Sequence, residues 1–279
     1  IRPIMITGDH KDTAVAIAKQ LGIIGANQKA VTGMELNSMS DEELDEHIEE
    51  YSVYARVQPE HKVRIVQAWK KRGKITAMTG DGVNDAPSIK NADIGVGMGI
   101  TGTDVTKNVA DMVLADDNFA TIVSAVEEGR RIYDNIRNSI QFLLSSNLSE
   151  VLSIFFATLC GFTLFEPVHL LWINLITDCF PALALGLEKG DPDIMSRKPR
   201  NSKDGIFAGG MGFDCAYQGV MVTVLTLVAY VLGIVMASPE HMTLSQIFAV
   251  NDANEATHLL HQNGMTMAFL TLSMAEIFH

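Results

Sequence analysis

A short stretch after an apolar run packs several groups that could act on a phosphate. It reads Thr-Gly-Asp-Gly-Val-Asn-Asp-Ala-Pro over residues 79–87 and follows the predicted strand 75–78. The carboxylates of Asp81 and Asp85 could hold Mg2+, which neutralises phosphoryl oxygens, and Gly82 lets the backbone approach a phosphate closely. Asn84 adds an amide to the set. A glycine-rich turn in which Asp85 caps a helix is the alternative interpretation.

Two residues outside this stretch could take part in the same chemistry. Thr7 follows the predicted strand 3–6 and could donate a hydrogen bond to a phosphate oxygen. Lys62 lies in the first turn after Pro59 and could neutralise the charge of the phosphate. Taken alone, Lys62 is more often a solvated lysine.

A second group of polar residues lies in apolar stretches of the later chain. It comprises Asn147 and Glu150, then Asn174, Thr177 and Asp178, and finally Glu276. Their spacing places the first two on one helix face and the next three on another. A carboxylate inside hydrocarbon costs several kcal/mol unless it is paired or binds a cation. The all-oxygen set suits a hard cation such as Ca2+. Hydrogen bonding between helices is the alternative, and it fits Glu150 and Asp178 poorly.

The elements that must position the first group alternate between strands and helices. We predict strands at 3–6, 53–55, 75–78, 94–96 and 112–114, and helices at 11–21, 40–50 and 59–72. Ser40 and Glu43 form a predicted capping box for the second helix. This alternation favours an α/β domain with a mainly parallel sheet. Two strands lead into the same Thr-Gly-Asp, and ligands of such sheets bind at the carboxyl ends of strands.

The second part of the chain is typical of membrane spans. They are predicted near 140–162, 168–187, 213–237 and 265–279. About fifteen residues at 1.5 Å per residue cannot cross roughly 30 Å of hydrocarbon, so the last span is predicted to be truncated. Residues 138–187 and 204–279 contain no Lys or Arg, whereas charges are dense in the first part.

The positive charges and the composition limit orientation and partners. Arg130, Arg131 and Arg137 precede the first span, and five more cations lie between the second and third: Lys189, Arg197, Lys198, Arg200 and Lys203. The positive-inside rule therefore predicts that the α/β domain and this loop are cytoplasmic. The net charge of -12 argues against a nucleic-acid partner. The three cysteines stand singly and predict neither disulfides nor a zinc site.

The order and spacing of Met-Ile-Thr-Gly-Asp, Gln-Pro-Glu-His-Lys and the 79–87 stretch resemble the phosphorylation domain of P-type ATPases, a haloacid-dehalogenase-like fold. The similarity continues through 111–119, 127–130 and the first two spans, and is weakest after about Arg200. In that family the residue matching Asp81 binds Mg2+, and those matching Asn84 and Asp85 order the phosphate site. Those matching Thr7 and Lys62 contact the phosphoryl group, while Gly8, Asp9 and Gly82 correspond to the edge of the site.

The resemblance implies transfer of the ATP γ-phosphoryl group to an aspartate, followed by hydrolysis. The family carries that aspartate in Asp-Lys-Thr-Gly-Thr, and this sequence has no such motif. We therefore expect the nucleophile, the nucleotide-binding and actuator domains and four spans upstream of Ile1, in the N-terminal half of the same polypeptide. The chain by itself is expected to be inactive.

The run 171–178 followed by 181–186 resembles the calcium-pump subfamily more than sodium/potassium or heavy-metal pumps, and 146–150 agrees with it. By this resemblance Glu276 completes one cation site with the acids of the first two spans. Pro181 would loosen its helix and free carbonyls near the ion. A pump for Mn2+ or for Na+ and K+ is the alternative within the family.

We therefore predict an incomplete, Rossmann-like domain with a parallel sheet over 1–125, and a stalk helix that joins it to a helical transmembrane bundle over 126–279. The region 119–160 has no proline, so the stalk helix should run unbroken into the first span. Expected partners are ATP, the transported cation and a lipid bilayer, most simply a bacterial plasma membrane. A membrane-anchored regulatory fragment and a phosphatase-like enzyme are alternatives of another class. The missing nucleophile and the acids in the spans count against the phosphatase.

Overall fold

The computed structural model of the chain describes residues 1–201, 204–238, 242–243, 246–247, 250 and 257–278. The chain divides into two compact units, Ile1–Ala125 and Val126–His279. Lys203, the terminal His279 and 13 of the 27 residues 238–264, between the third and fourth predicted spans, lie outside the described residues.

The first unit, all of whose residues are described, alternates strands and helices as predicted. Its strands are β1 Met5–Ile6, β2 Lys29–Thr32, β3 Tyr51–Ala55, β4 Ala77–Gly80, β5 Ile94–Met98 and β6 Met112–Leu114. Its helices are α1 Lys11–Gln20, α2 Gly33–Ser38, α3 Asp41–His47, α4 Pro59–Lys71, α5 Ala86–Asn91 and α6 Asp104–Val109. Short 3-10 turns lie at Ile48–Glu50 and Val83–Asp85.

The strands form two parallel sheets of three strands each, with orders β1-β3-β2 and β4-β5-β6. In the first sheet Met5 is opposite Val53, and in the second Ala77 is opposite Ile94. The predicted parallel α/β fold is therefore confirmed, but it is split between two sheets. Both β1 and β4 are edge strands, each pairing on one side only within the described chain.

Helix α4 shows how the sequence builds the core of this unit. Pro59 begins the helix, where its missing N–H costs nothing, and Ile65, Ala68 and Trp69 face inward. They pack with Tyr54 of β3 and with apolar residues of α2 and α3. Burial of a large aliphatic side chain stabilises a fold by about 1.5–3 kcal/mol, so this face holds the helix in place.

Four elements of the first unit were not predicted, namely β2, α2, α5 and α6. Thr32 caps α2 through a reciprocal capping box with Glu35. The predicted cap of α3 is present on one side, because the Ser40 hydroxyl accepts a hydrogen bond from the N–H of Glu43 at 3.1 Å.

The second unit is helical. Its elements are α7 Phe119–Cys160, which begins within the first unit's range, then α8 Pro167–Trp172, a π-helical turn Ile173–Thr177, α9 Cys179–Gly186, α10 Met211–Ala237 and α11 His258–Ile277. The unbroken helix predicted over 119–160 is confirmed.

Helix α11 begins before the predicted last span and covers most of it. It begins at His258, well before residue 265, and contains 20 residues. At about 1.5 Å per residue this is roughly 30 Å. The first turns were missed because His258, His261 and Gln262 interrupt the apolar pattern.

Three helical segments of the described chain are long and apolar enough to cross a membrane. They are Phe119–Cys160, Pro167–Gly186 and Ala208–Ala237, and α11 is not among them. The chain is therefore part of an integral membrane protein.

Helices α10 and α11 approach each other closely at two glycines. A Cβ on Gly233 would lie 2.8 Å from the carbonyl oxygen of Asn263, and one on Gly264 would lie 2.9 Å from the ring of Tyr230. Small residues at such crossings let helix backbones approach. Tyr230 also bonds His261 at 2.8 Å and stacks on Phe162.

The loop between α9 and α10 is held against the first half of α7. Asn135 donates to the carbonyls of Gly186 and Glu188, at 3.2 and 2.9 Å. Arg130 donates to the carbonyl of Ile194 at 2.8 Å. The Asn135 amide thus satisfies the carbonyl of Gly186 at the C-terminal end of α9, where helical partners end, and the other two bonds hold the loop that follows.

Candidate phosphate and cation sites

The residues after β1 form a closed turn. The Thr7 hydroxyl donates to Oδ2 of Asp9 at 2.9 Å, and the N–H of Asp9 donates back to the Thr7 hydroxyl at 3.1 Å. Gly8 between them is exposed. The structure thus brings together three of the predicted phosphate-site residues.

Lys62 and Asp85 form an ion pair. Lys62 lies in the first turn of α4, and its ammonium group contacts Oδ1 of Asp85. Their side chains are 21% and 10% exposed. The N–H of Gly82 donates to the other oxygen of Asp85 at 3.3 Å. Lys62 is therefore a paired cation at the end of β4 and not a freely solvated lysine.

Gly80, which was not singled out from the sequence, makes room for this pair. A Cβ on Gly80 would lie 2.4 Å from the Cβ of Asp85 and 2.7 Å from its carboxyl carbon. Any side chain at residue 80 would thus displace Asp85. The only signal in the sequence was the position of Gly80 between the strand and Asp81.

Asp81 and Asn84 are exposed, and their side chains make no hydrogen bond or ion pair with any described residue. The backbone of Asp81 is nevertheless fixed, because its carbonyl accepts from the N–H of Thr103 at 2.9 Å. Mg2+ is usually held by one or two carboxylates together with waters and phosphate oxygens. A fixed backbone with an uncommitted carboxylate fits that mode of binding, whereas Asp85 is engaged by Lys62.

No described hydrogen bond or ion pair joins the Thr7 turn to the residues after β4. Each group lies at the carboxyl end of a parallel strand, where α/β sheets bind ligands. Together they present a hydroxyl, an ammonium group and a free carboxylate, which are groups suited to a phosphate and its metal ion.

In the second unit, Ser146 links two acids from distant parts of the chain. Its hydroxyl lies 2.8 Å from Oδ1 of Asp178 and 2.7 Å from Oε1 of Glu276, a residue 130 positions away. The Thr177 hydroxyl lies 2.6 Å from Oε2 of Glu276. All four side chains are buried. Ser146 was not among the predicted site residues, because only the folded chain brings its partners together.

Glu150 is also buried and is bonded by Asn174, whose amide group donates to its two oxygens at 3.3 and 3.1 Å. Asn147 is different. It is exposed, and its amide donates to the carbonyl of Leu143 at 2.7 Å. Three of the six predicted cation residues, Thr177, Asp178 and Glu276, thus share one hydrogen-bonded network with Ser146. Glu150 and Asn174 form a separate hydrogen-bonded pair, and Asn147 lies outside both groups.

A count of hydrogens limits the protonation of this network. The Ser146 hydroxyl faces two carboxyl oxygens, and the Thr177 hydroxyl faces Glu276 and the carbonyl of Ile173 at 2.9 Å. Each hydroxyl has one hydrogen. The four contacts need four hydrogens, and the two hydroxyls supply two of them. The other two hydrogens must come from the acids. All four contacts are hydrogen bonds only when Asp178 and Glu276 are both protonated.

The π-helical turn Ile173–Thr177 carries two of these residues. The N–H of Asp178 bonds the carbonyl of Ile173, five residues back, at 3.0 Å. Pro181 has no N–H, so the carbonyl of Thr177 lacks its usual helical donor. The wider turn and the proline leave backbone oxygen beside the acids, as the sequence suggested for Pro181.

Among the described residues, no three His, Cys, Asp or Glu side chains come together as a ready metal-binding group. The acids as described form a hydrogen-bonded network and not a coordination shell. The oxygen atoms beside the acids belong to the hydroxyls of Ser146 and Thr177 and to the amide of Asn174.

Comparison with known proteins gives a match for each part of the chain. Residues 162–279 match the family described as cation transporting ATPase, C-terminus, and residues 1–93 match that described as haloacid dehalogenase-like hydrolase. The chain is 51% identical to Calcium-transporting ATPase 1 of Bacillus cereus and 46% identical to the calcium-transporting ATPase of Bacillus subtilis, each over 280 residues. It is 44% identical over 234 residues to Calcium-transporting ATPase 1 of Yarrowia lipolytica.

These alignments cover 100%, 100% and 83% of this chain, but 31%, 29% and 25% of the respective relatives. The chain spans about a third or less of the length of the curated relatives it matches.

Proposed function

Because this chain belongs to the P-type cation-transporting ATPases, we propose that it forms part of the phosphate site and part of the cation site of a calcium pump. The whole pump transfers the γ-phosphoryl group of ATP to an aspartate outside this sequence, hydrolyses the phosphoenzyme and moves Ca2+ across a membrane. The rest of the polypeptide supplies the nucleophile, the nucleotide-binding and actuator domains and further spans.

The observation that carries the proposal is the burial of three acids in apolar helices. Glu150, Asp178 and Glu276 are 6%, 2% and 4% exposed. A carboxylate at such a position is costly unless it is protonated, paired or bound to a cation. No Lys or Arg lies in the helices that carry them beyond Arg137. Their alternation between protonated and cation-bound forms accounts for their presence.

The chemistry of the donors favours Ca2+ over softer ions. Carboxylates, the Asn174 amide, the Thr177 hydroxyl and a backbone carbonyl are hard oxygen ligands, which Ca2+ prefers. Heavy-metal sites use thiolate or imidazole ligands, and Cys179 is an exposed single thiol. The printed names of the relatives, calcium-transporting ATPases, support the same ion.

In the cytoplasmic site, catalysis is mainly positioning and charge neutralisation. Lys62 neutralises phosphoryl charge, and Asp85 holds Lys62 in place. Thr7 donates to a phosphoryl oxygen, while Asn84 helps to order the site. Gly8, Asp9 and Gly82 form its edge.

Asp81 is the residue that would hold Mg2+. Mg2+ supplies positive charge that stabilises the transferring phosphoryl group. The carboxylate of Asp81 has no described partner and is therefore available to the ion. The neighbouring acid, Asp85, is already paired with Lys62.

The positive charges support the proposed orientation. Arginines before the first span and in the loop between the second and third spans favour a cytoplasmic position for that loop and for residues 1–125. Bacterial relatives make a bacterial plasma membrane the simplest setting.

The test uses the full-length pump that contains this chain. ATP hydrolysis is measured against Ca2+, Mn2+ and Na+ for the natural protein, for Asp178→Asn and for Asp193→Asn, an exposed acid in the loop after α9. We expect activation by Ca2+ that Asp178→Asn abolishes and the control retains. Activity indifferent to Ca2+ would falsify the calcium assignment, and activation by Mn2+ alone would make the protein a manganese pump.

A further inference from the structure

Three buried hydroxyl groups in the second unit have no hydrogen-bond partner. They belong to Ser153 of α7, Thr226 of α10 and Ser273 of α11, and none of their oxygens bonds any described residue. Ser153 and Thr226 are completely buried, and Ser273 is 6% exposed. A buried polar group without a partner is rare in folded proteins.

Neighbouring hydroxyls on the same helices behave in the usual way. Ser145, Ser149 and Thr223 each donate to a carbonyl one turn earlier in their own helix, at 2.8 to 2.9 Å. Serine and threonine in apolar helices commonly satisfy themselves like this. The three unpartnered hydroxyls do not make this bond to a carbonyl of their own helix.

The three residues occupy equivalent positions beside the acid network. Ser153 lies three residues after Glu150, and Ser273 lies three residues before Glu276. Thr226 lies three residues after Thr223, whose hydroxyl is 3.2 Å from the carbonyl of Ser149. A spacing of three residues keeps two side chains on the same helix face.

Contacts on both sides bring the three hydroxyls to one level. On the side of the acids, Ser149, Val222 and Ala275 line one small cavity together with Glu276. On the other side, Ala157, Tyr230 and Ala268 belong to one apolar cluster. Ser153, Thr226 and Ser273 are the buried hydroxyl residues without a described partner in the parts of α7, α10 and α11 between these two sets of contacts.

We propose that these three hydroxyls bind a water molecule, and that this water is the first hydrated step of the route between the cation site and the side of the membrane toward the Cys160 end of α7. A buried water typically makes about three hydrogen bonds to groups that otherwise have no partner. Hydroxyls donate and accept, so they can turn to a water or to a cation that passes with part of its hydration shell. The route rests on the proposed function, whereas the water does not.

The test compares the full-length pump with Ser153→Ala, Thr226→Val and Ser273→Ala, singly and combined. Ser145→Ala is the matched control, since it removes a buried hydroxyl that is already satisfied within its own helix. One measurement is a cryo-EM map at a resolution that shows ordered water. The other is the rate of phosphoenzyme decay after ATP is chased, with thermal stability recorded for each variant.

We expect water density within hydrogen-bond distance of at least two of the hydroxyls, absent in the combined variant. We also expect decay about tenfold slower in that variant, which corresponds to about 1.4 kcal/mol in the barrier. The control should decay at the natural rate. A dry site in the natural protein overturns the proposal. Water density in the natural protein together with an unchanged rate of phosphoenzyme decay in the combined variant overturns the proposed route.

Failure of the calcium assignment gives a different pattern. If Asp178→Asn leaves the cation dependence intact while the water is present, the proposed function fails and the water site stands. If the cation dependence is lost as expected but the site is dry, only the present inference fails.

Discussion

At the scale of single residues, the hydroxyl of Ser146 ties the protonation of two acids together. Because Asp178 and Glu276 must each supply a hydrogen to complete the network, a cation bound there as proposed would have to displace those protons. Ligands that coordinate a metal ion are deprotonated, so metal binding releases protons. The network therefore links cation affinity to pH.

We expect Ca2+ binding to the full-length pump to release about two protons from this network. Release is measured with a pH indicator in weakly buffered detergent solution, and Ca2+ affinity should fall as the pH is lowered. Glu276→Gln should reduce the number released, whereas Asp193→Asn should not. Binding without proton release would contradict the protonated network.

Gly80 shows how one missing side chain positions a charged pair. In Gly80→Ala the new methyl group would overlap Asp85, so Asp85 and Lys62 must move. Displacement of about 1 Å can reduce a rate by about a hundredfold, and we expect a loss of that order in phosphoenzyme formation. Gly25→Ala is the control, because a Cβ there makes only an ordinary contact at 3.7 Å. Equal rates in the two variants would show that Asp85 tolerates the shift.

Asp117 makes the first unit sensitive to acid. Backbone N–H groups of Ile100, Thr101 and Gly99, with the Thr101 hydroxyl, lower the pKa of its carboxyl from 3.8 to about 2. A depressed pKa in the fold means that the carboxylate stabilises the fold above pH about 4, and that this contribution is lost as the pH falls toward 2.

We therefore expect Asp117→Asn to lower the thermal unfolding temperature of the chain in detergent at pH 5, with the difference shrinking toward pH 2. Asparagine tolerates the left-handed backbone at this position, where φ is 52°, so the change tests the charge. Circular dichroism between pH 2 and 5 measures it, with Asp12→Asn, an exposed acid, as control. A difference independent of pH would assign the effect to packing.

Residue types were predictable where the chemistry is local, and not where it depends on distant partners. The acids inside apolar helices stand out in the sequence because of their cost. Ser146 does not, since its two partners lie 32 and 130 positions away. The role of Gly80 could not be predicted from the sequence for a related reason, because it depends on how Asp85 packs against the strand.

At the scale of elements, the free edges of β1 and β4 are the most informative feature of the first unit. Each strand has a single partner in the described chain. Strand β1 leads into the segment that contains Thr7, and β4 leads into the segment that contains Asp81. Unpaired strand edges bind further strands readily. We infer that a strand from the rest of the pump pairs with at least one of them.

Hydrogen exchange tests that pairing. In the full-length pump we expect slower amide exchange for β1 and β4 than in this chain alone, while β5, already paired on both sides, should change little. The two proteins are compared by mass spectrometry under the same detergent and pH. Identical exchange at both edge strands would contradict an added strand.

The elements were predicted well where periodicity or a proline marks them. Helix α4 after Pro59 and the long α7 are confirmed, and so is the parallel α/β fold. The short β2 was missed because Lys29-Ala-Val-Thr has only two apolar residues. The start of α11 was missed because its first turns contain histidines, one of which bonds Tyr230 within the helix pair.

At the scale of the whole molecule, each unit carries one candidate site. The predicted family is confirmed, and the chain spans about a third of its bacterial relatives. The sequence contains no Asp-Lys-Thr-Gly-Thr motif, so the proposed function assigns the phosphorylated aspartate to the remaining part of the pump.

We expect the purified chain to show no ATP hydrolysis above background at any Ca2+ concentration, and the full-length pump to be active in the same assay. Activity is measured as phosphate release in detergent with Mg2+ present. The chain should be tested after circular dichroism has verified its helical content. Turnover by the chain alone would mean that another nucleophile acts.

The polar residues of the segment Pro167–Gly186 also decide how the protein can be made. Asp178 lies inside this segment, and an aspartate at the centre of an inserting helix costs about 2.5–3.5 kcal/mol. The segment therefore enters a bilayer poorly by itself. Ser146, which precedes it in translation, and Glu276, which follows it, are the groups that shelter this side chain through shared hydrogen bonds. The hydrogen-bonded network around Asp178 is therefore complete only after the ribosome has synthesised α11.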